Sequence, residues 1–157
     1  MKILLDAKAD PNLQTHDGSI LGQAYSNMNH TAIRMLIDAK ANVNLNGGRY
    51  VKGPPLFIAV QKYAGEAHME IINLLLEQGA DVNKRGFMHS TILSKACCRS
   101  KVHLELVERL LQAGADINAY IGRSHKTVRD VLEQRTGADK RTELLELLQR
   151  YDGHTVA

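Results

Sequence analysis

Residues 45–55 read LNGGRYVKGPP, with Gly48 and Gly53 five apart around Arg-Tyr-Val-Lys. This is the G-x-x-x-x-G half of a phosphate-binding loop, a motif that cradles phosphate on backbone N–H groups. The full motif continues with Lys, which reaches the phosphates, and Ser or Thr, which holds magnesium. Here Gly53 is followed by Pro54-Pro55. Two prolines delete the two N–H donors best placed to hold a phosphate. The loop also follows a helix and a short extended segment, not a buried strand. Nucleotide binding is therefore not expected, and the glycines and prolines need another explanation.

Seven histidines and two cysteines are the next residues that could do chemistry. His68 and His103 share one register in different copies of a repeat, about one repeat apart and too far to share a zinc ion. His16, His89 and His125 fall in three separate loops, His30 near a helix start and His154 in the tail. No C-x-x-C or H-x-x-x-H spacing occurs, so no metal site is expected. Cys97 and Cys98 are adjacent, which is poor geometry for a bridge and points to a reducing compartment. A nucleophilic cysteine needs a neighbouring base or a depressed pKa, and Arg99 alone is thin support. No Ser-His-Asp set or carboxylate pair stands out. The chain is expected to be non-enzymatic, with no catalytic residues, cofactor or small-molecule substrate.

Composition agrees with a soluble domain of ordinary size. Of 157 residues, 44% are apolar and 24% charged, both typical of globular proteins. With five Tyr, two Phe and no Trp, the core must be built from Leu, Ile, Val and Ala. The net charge of +3 is too small to argue for nucleic acid, which is not expected as a partner. Fully apolar runs reach four or five residues, far short of the ~20 that a membrane helix needs. Asp6 interrupts the N-terminus before a signal-peptide apolar region develops. A cytoplasmic location is expected, or a host cytosol if the chain belongs to a secreted effector.

What positions these residues is an internal repeat. LLDAKADPN at 4–12 recurs as LIDAKANVN at 36–44, LLEQGADVN at 75–83 and LLQAGADIN at 110–118. The closing residues Asn12, Asn44, Asn83 and Asn118 are 32, 39 and 35 apart. A looser echo precedes them in SILGQAY at 19–25, PPLFIAV at 54–60 and TILSKAC at 91–97. TVRDVLE at 127–133 is a weaker copy, followed by LLELLQRYDG at 144–153. Each unit reads as two short helices and a turn. Thr91 can cap a first helix, and Pro54 suits a helix start. Second helices carry apolar residues at helical spacing, as in Ile71, Ile72, Leu74, Leu75 and Leu76. They stop at Gly79 or Gly114, natural left-handed C-caps, whereas Lys8 and Lys40 should cap less well. No helix pair can bury its apolar face alone, so neighbouring pairs must stack.

These blocks resemble the ankyrin repeat, whose signature runs T-P-L-H-x-A-A and then G-H-x-x-I-V-x-x-L-L-x-x-G-A-D-V-N. The likeness is strong at 75–83, 91–97 and 110–118, and weakest after Asn118, where Arg129 stands in the place of the signature Leu. It implies an all-α ankyrin-repeat solenoid of stacked antiparallel helix pairs with hairpin-like fingers. The reading is one domain: a partial repeat at 1–14, repeats at about 15–46, 47–85 and 86–120, a capping repeat at 121–153 and a tail at 154–157. His68 and His103 take the place of the signature His, which implies a structural hydrogen bond to a neighbouring loop. Asn83 and Asn118 end stretches similar to asparaginyl-hydroxylase substrates, a modification open only in a eukaryotic cytosol. Against the ~33-residue period, the 39-residue interval has two extra residues in its finger and four around Tyr63-Ala64-Gly65-Glu66. Four residues is about one turn, so longer helices or a wider loop are expected there. The 35-residue interval gains two near Lys101. Met1–Leu5 starts in the last turns of a second helix, leaving Ile3, Leu4 and Leu5 half-covered, as in a fragment or a chain that had more repeats upstream. Asp139, Lys140, Arg141, Glu143, Glu146 and Arg150 give the last helix a polar, capping face.

The fingers hold the remaining signal. Finger two (45–53) carries Arg49, Tyr50 and Lys52. Finger three (84–90) carries Lys84, Arg85, Phe87 and Met88. Finger four (119–126) carries Tyr120, Ile121, Arg123 and Lys126. Each is +2 and finger one (13–18) is −1, so fingers hold +5 of a chain total of +3. First helices add Gln23, Lys62, Lys95 and Arg99. Solvation explains Lys and Arg but not Tyr50, Phe87, Met88, Tyr120 and Ile121 beside them; aromatics mixed with Arg are the composition of interface hot spots. In the ankyrin family, fingers and first helices form a groove for partner proteins. A basic, aromatic groove predicts a protein partner with an acidic segment or surface. Alternatives are an inhibitor acting on an enzyme in trans, from whose kinase-docking examples the long second finger departs, or the targeting part of a larger enzyme or bacterial effector.

Overall fold

Thr91 begins a helix for the reason its position implies: its hydroxyl accepts the N–H of Ser94 at 3.0 Å, one of the donors a helix start leaves open. Ser19 does the same for Gly22 at 3.1 Å and Asn29 for Ala32 at 3.0 Å. Pro54 takes the N-cap position with Pro55 as the first helical residue, where a missing N–H costs nothing. The structure, a computed structural model, describes residues 3, 6–47, 53–123, 125–134 and 140–152. It divides into two compact units, residues 1–81 and 82–157. Eight α-helices and one two-stranded ribbon lie among the described residues.

In the first unit, β1 (Gln14–Thr15) pairs antiparallel with β2 (Gly18–Ser19), Gln14 opposite Ser19. This hairpin is finger one. Helices α1 (Ile20–Ser26) and α2 (His30–Asp38) form one pair, α3 (Pro55–Gln61) and α4 (Glu66–Glu77) the next. Each first helix packs on its second, and α1 packs on α3. Leu21, Ile33, Leu56, Phe57, Ile72 and Leu75 are buried between them, each such side chain worth roughly 1.5–3 kcal/mol of hydrophobic stabilisation. The four-residue insertion appears as a longer α4, 12 residues against 9 in α2. Gly65, at φ 141°, starts that helix from a conformation that side chains disfavour.

In the second unit, a 3₁₀ turn (Phe87–His89) leads into α5 (Ile92–Cys97) and α6 (Leu104–Gln112), then α7 (Val128–Gln134) and α8 (Arg141–Asp152). Helix α5 packs on α6 and α7, and α8 on α6 and α7. At the start of α7, Thr127 and Asp130 form a capping box: the carboxylate accepts the Thr127 N–H at 2.7 Å and its hydroxyl at 2.9 Å. Those bonds hold the Asp130 carboxyl below its usual range. Arg129, the departure from the signature Leu, bridges to Asp152 of α8 at 3.1 Å. Helix α8 buries Leu144, Leu147 and Leu148 and exposes Glu143, Glu146 and Arg150.

The second helices end alike. Lys40, Gly79 and Gly114 lie in the left-handed region at φ 64°, 79° and 84°. The next N–H in each, of Ala41, Ala80 and Ala115, returns to the carbonyl of Leu36, Leu75 and Leu110 at 2.9–3.0 Å, the Schellman closure. Lys8 is left-handed too, at φ 61°, so both lysines fill a glycine's place. The block-ending asparagines then pin the following turn. Asn44 accepts the Asp81 N–H at 2.8 Å and donates to the Gly79 carbonyl at 2.9 Å. Asn83 repeats this with Asp116 at 2.8 Å and Gly114 at 3.0 Å.

Candidate protein-interaction surface

Gly47 and Gly53 lie at the base of finger two. Gly47 donates to the Gly53 carbonyl at 3.0 Å, and Gly53 sits at φ 147°. A Cβ on Gly22 would lie 2.6 Å from the Gly47 Cα, so a glycine in α1 makes room for this finger to start. Arg49, Tyr50 and Lys52, the predicted contact residues of finger two, lie outside the described residues.

Fingers three and four, both in the second unit, are tied together. In finger three, Gly86 donates to the Ser90 carbonyl at 3.0 Å and Ser90 to that of Phe87 at 3.2 Å. Met88 and His89 are left-handed, at φ 55° and 58°, a conformation that costs a side-chain-bearing residue roughly 1–2 kcal/mol. Arg85 holds them there: Nη1 donates to the carbonyls of His89 at 2.8 Å and Tyr120 at 2.7 Å. Gly122 of finger four, at φ 61°, donates to the same His89 carbonyl at 3.2 Å. A Cβ on Gly122 would come within 3.3 Å of the Met88 carbonyl. Finger four closes on itself through Ile121 N–H to the Lys126 carbonyl at 2.9 Å. The Tyr120 ring meets His125 edge-on, centroids 5.6 Å apart.

This frame presents apolar surface. Phe87 is 46% exposed, Met88 71% and Tyr120 53%. Arg123 is exposed beside them in sequence, while Lys84 and Ile121 are half-buried. Lys126 is exposed, with Nζ donating to Gln134 Oε1 at 2.6 Å. Of the predicted first-helix residues in this unit, Lys95 and Arg99 are half-buried. Lys62, in the first unit, donates to the Ser26 carbonyl at the end of α1.

Three residues of this site were absent from the expected contact set. His89 supplies the carbonyl on which Arg85 and Gly122 converge, Gly122 supplies a left-handed turn, and His125 backs Tyr120. Gly122 had a signal, a lone glycine within a finger. The His89 carbonyl had none, because a backbone acceptor carries no residue type.

The residues singled out for chemistry lie elsewhere. Cys97 is buried, and burial with the neighbouring Cys98 pushes its thiol well above the ordinary range. His68 does not make the structural hydrogen bond that its register implies: among the described residues its ring meets His30 instead, centroids 5.6 Å apart. No group of three or more His, Cys, Asp and Glu among the described residues is placed to hold a metal ion. No described helix is long and apolar enough to cross a membrane.

Helix pairs stacked on one another, with side chains held out on ordered loops, define a recognition scaffold of the helical-repeat class. The chain belongs to the ankyrin-repeat family: the family model for ankyrin repeats in three copies matches residues 1–86, and the single ankyrin-repeat model matches residues 89–120. Ankyrin repeats are in general protein–protein interaction modules, typically non-catalytic. No curated protein matches the sequence.

Proposed function

We propose that this protein binds a partner protein through its fingers, and that the partner presents an acidic segment with an apolar anchor. The reading is carried by one observation: Phe87, Met88 and Tyr120 are exposed on fingers whose backbones are pinned by Arg85. A rigid loop loses little entropy on binding, so apolar side chains on it convert contact into affinity efficiently. Lys84, Arg123 and Lys126 surround these anchors in sequence, and positive charge there raises the association rate and selects an acidic partner. Lys95 and Arg99 extend this set within the second unit, and Arg49, Tyr50, Lys52 and Lys62 are proposed contacts of the first unit. Cys97 and Cys98 form no disulfide among the described residues, which supports a reducing, cytoplasmic setting.

Affinity capture with the wild-type chain, a Phe87→Ser/Met88→Ser variant and an Arg123→Glu/Lys84→Glu variant tests this. The first variant should lose the captured partner. The second should bind more slowly and with a weaker salt dependence. Arg85 is left intact because its removal would loosen the fingers as well as remove charge. Retention of the same partner, with the same salt dependence, by both variants would falsify the proposal.

A further inference from the structure

His30 and His68 form a second cluster, and neither belongs to the proposed contact set. Both belong to the first unit. His30 is the first residue of α2 and His68 the third of α4. Their rings meet edge to face, centroids 5.6 Å apart and planes at 80°. Both are half-buried, and the buried Tyr63 ring stands 6.4 Å from His68. Neither imidazole has a side-chain hydrogen bond among the described residues, so no carboxylate or carbonyl is placed to share an added proton.

We propose that the His30–His68 contact is an acid-sensitive joint: protonating both rings sets two cations against each other at the starts of α2 and α4 and loosens the first unit. Three effects act together. Two imidazolium charges at this spacing repel. Each ring also sits in the first turn of a helix, where the backbone dipole disfavours a cation. Finally, partial burial of His68 penalises its charged form.

The neighbouring charges do not offset this. Glu70 of α4 is engaged with Arg34 of α2 at 2.7 Å, so that pair brings no net charge. Lys62, before α4, is bonded to the Ser26 carbonyl. Glu66 lies in the first turn of α4, and the net effect of the surroundings on His68 is still downward. Burial and, after it, His30 lower that pKa below the ordinary histidine value. The neutral ring is thus the form the fold favours. Its contribution to stability is complete above the unfolded histidine pKa of about 6.5, and is lost as pH falls from there through the folded value.

Two measurements on the full chain test the joint. The first follows the His68 ring by NMR through a pH titration, in the wild type and in His30→Gln. The wild-type midpoint should lie below that of an exposed histidine and move upward in the variant. The second compares urea unfolding midpoints at about pH 7.5 and about pH 5.5 for the wild type, His30→Gln and His68→Gln. The wild type should lose more of its midpoint on acidification than either variant, the contribution of His103 and other groups being common to all three. An unmoved His68 midpoint in His30→Gln, or equal acid losses in the three proteins, would overturn the proposal. So would zinc ion raising the wild-type midpoint but not that of His30→Gln, which would make the pair a metal site.

Discussion

The turn that ends a second helix and the finger that precedes a first helix solve different problems. The turns after α2, α4 and α6 share one left-handed residue and one pattern of backbone closure. Each is pinned by an asparagine from the preceding block. The fingers share only a closing bond at the base, from the N–H three residues after the block asparagine (Gly47 to Gly53, Gly86 to Ser90, Ile121 to Lys126), and their described tips follow no common pattern. Finger one is a two-residue hairpin ribbon, finger three a 3₁₀ turn with two left-handed side chains, and finger four a loop held by Gly122. A helix end has a fixed set of carbonyls to satisfy, so its solution recurs. A finger tip has no such obligation, and its sequence is free to follow a partner.

The sharpest way to break this division is at the base of finger two, where the finger does have a structural obligation. Gly22→Ala would place a Cβ 2.6 Å from the Gly47 Cα, and a backbone atom cannot step aside as a side-chain tip can. A loss of about 2–3 kcal/mol is expected, the upper end for overpacking, measurable as a lower urea midpoint. A change below about 0.5 kcal/mol would mean that finger bases are as free as finger tips.

The next effect compares two asparagines that the sequence makes equivalent. Asn83→Ala strands the Asp116 N–H and the Gly114 carbonyl. Both are exposed, so water recovers part of the loss and about 1–2 kcal/mol is expected. Asn118 donates to the Asp152 carboxylate at a long 3.5 Å, and Asn118→Ala should cost less than half as much. Equal losses in thermal unfolding would show that the asparagine acts within its own turn and not on the next.

Lys40→Gly should act in the other direction. Lys40 occupies at φ 64° the site that Gly79 and Gly114 fill at 79° and 84°. Relief of roughly 1–2 kcal/mol of left-handed strain is offset by the roughly 0.5–1 kcal/mol of extra unfolded-state entropy that glycine brings. A net gain of about 1 kcal/mol follows, with partner binding unchanged.

How far the sequence could be read follows the same division. The helix pairs, the glycine caps, the Thr91 cap and the lysines in the cap position were all legible, because each answers a local demand that recurs at a fixed period. The insertion at Tyr63–Glu66 was legible as length but not as placement, since a longer helix and a wider loop have the same residue count. Arg85 was legible as charge and aromatic context. Its bonds to two carbonyls in two fingers were not, because backbone acceptors are anonymous in sequence. The His30–His68 contact was hidden for a geometric reason: counted back from Asn44 and Asn83, His30 stands one position later than His68. Register therefore matches His68 with His103, whereas the fold brings it to the residue one step off the pattern.

Met88 allows a turn and a finger to be compared by the same substitution. Like Lys40 it is left-handed without being glycine, at φ 55°, and Met88→Gly should relieve strain there too. The gain should be smaller, about 0.5 kcal/mol, because an exposed finger lacks the Schellman bonds that hold Lys40 in place. The two variants part on binding. Lys40→Gly removes an exposed side chain from a turn, whereas Met88→Gly removes a side chain 71% exposed at a finger tip. If the tip is the recognition surface, Met88→Gly yields a more stable protein that holds its partner at least tenfold more weakly, the loss expected when an apolar anchor worth more than about 1.4 kcal/mol is removed. Stability and binding moving together in both variants would mean that strain in finger three serves the fold. Their separation would mean that the strain is kept for what Met88 touches.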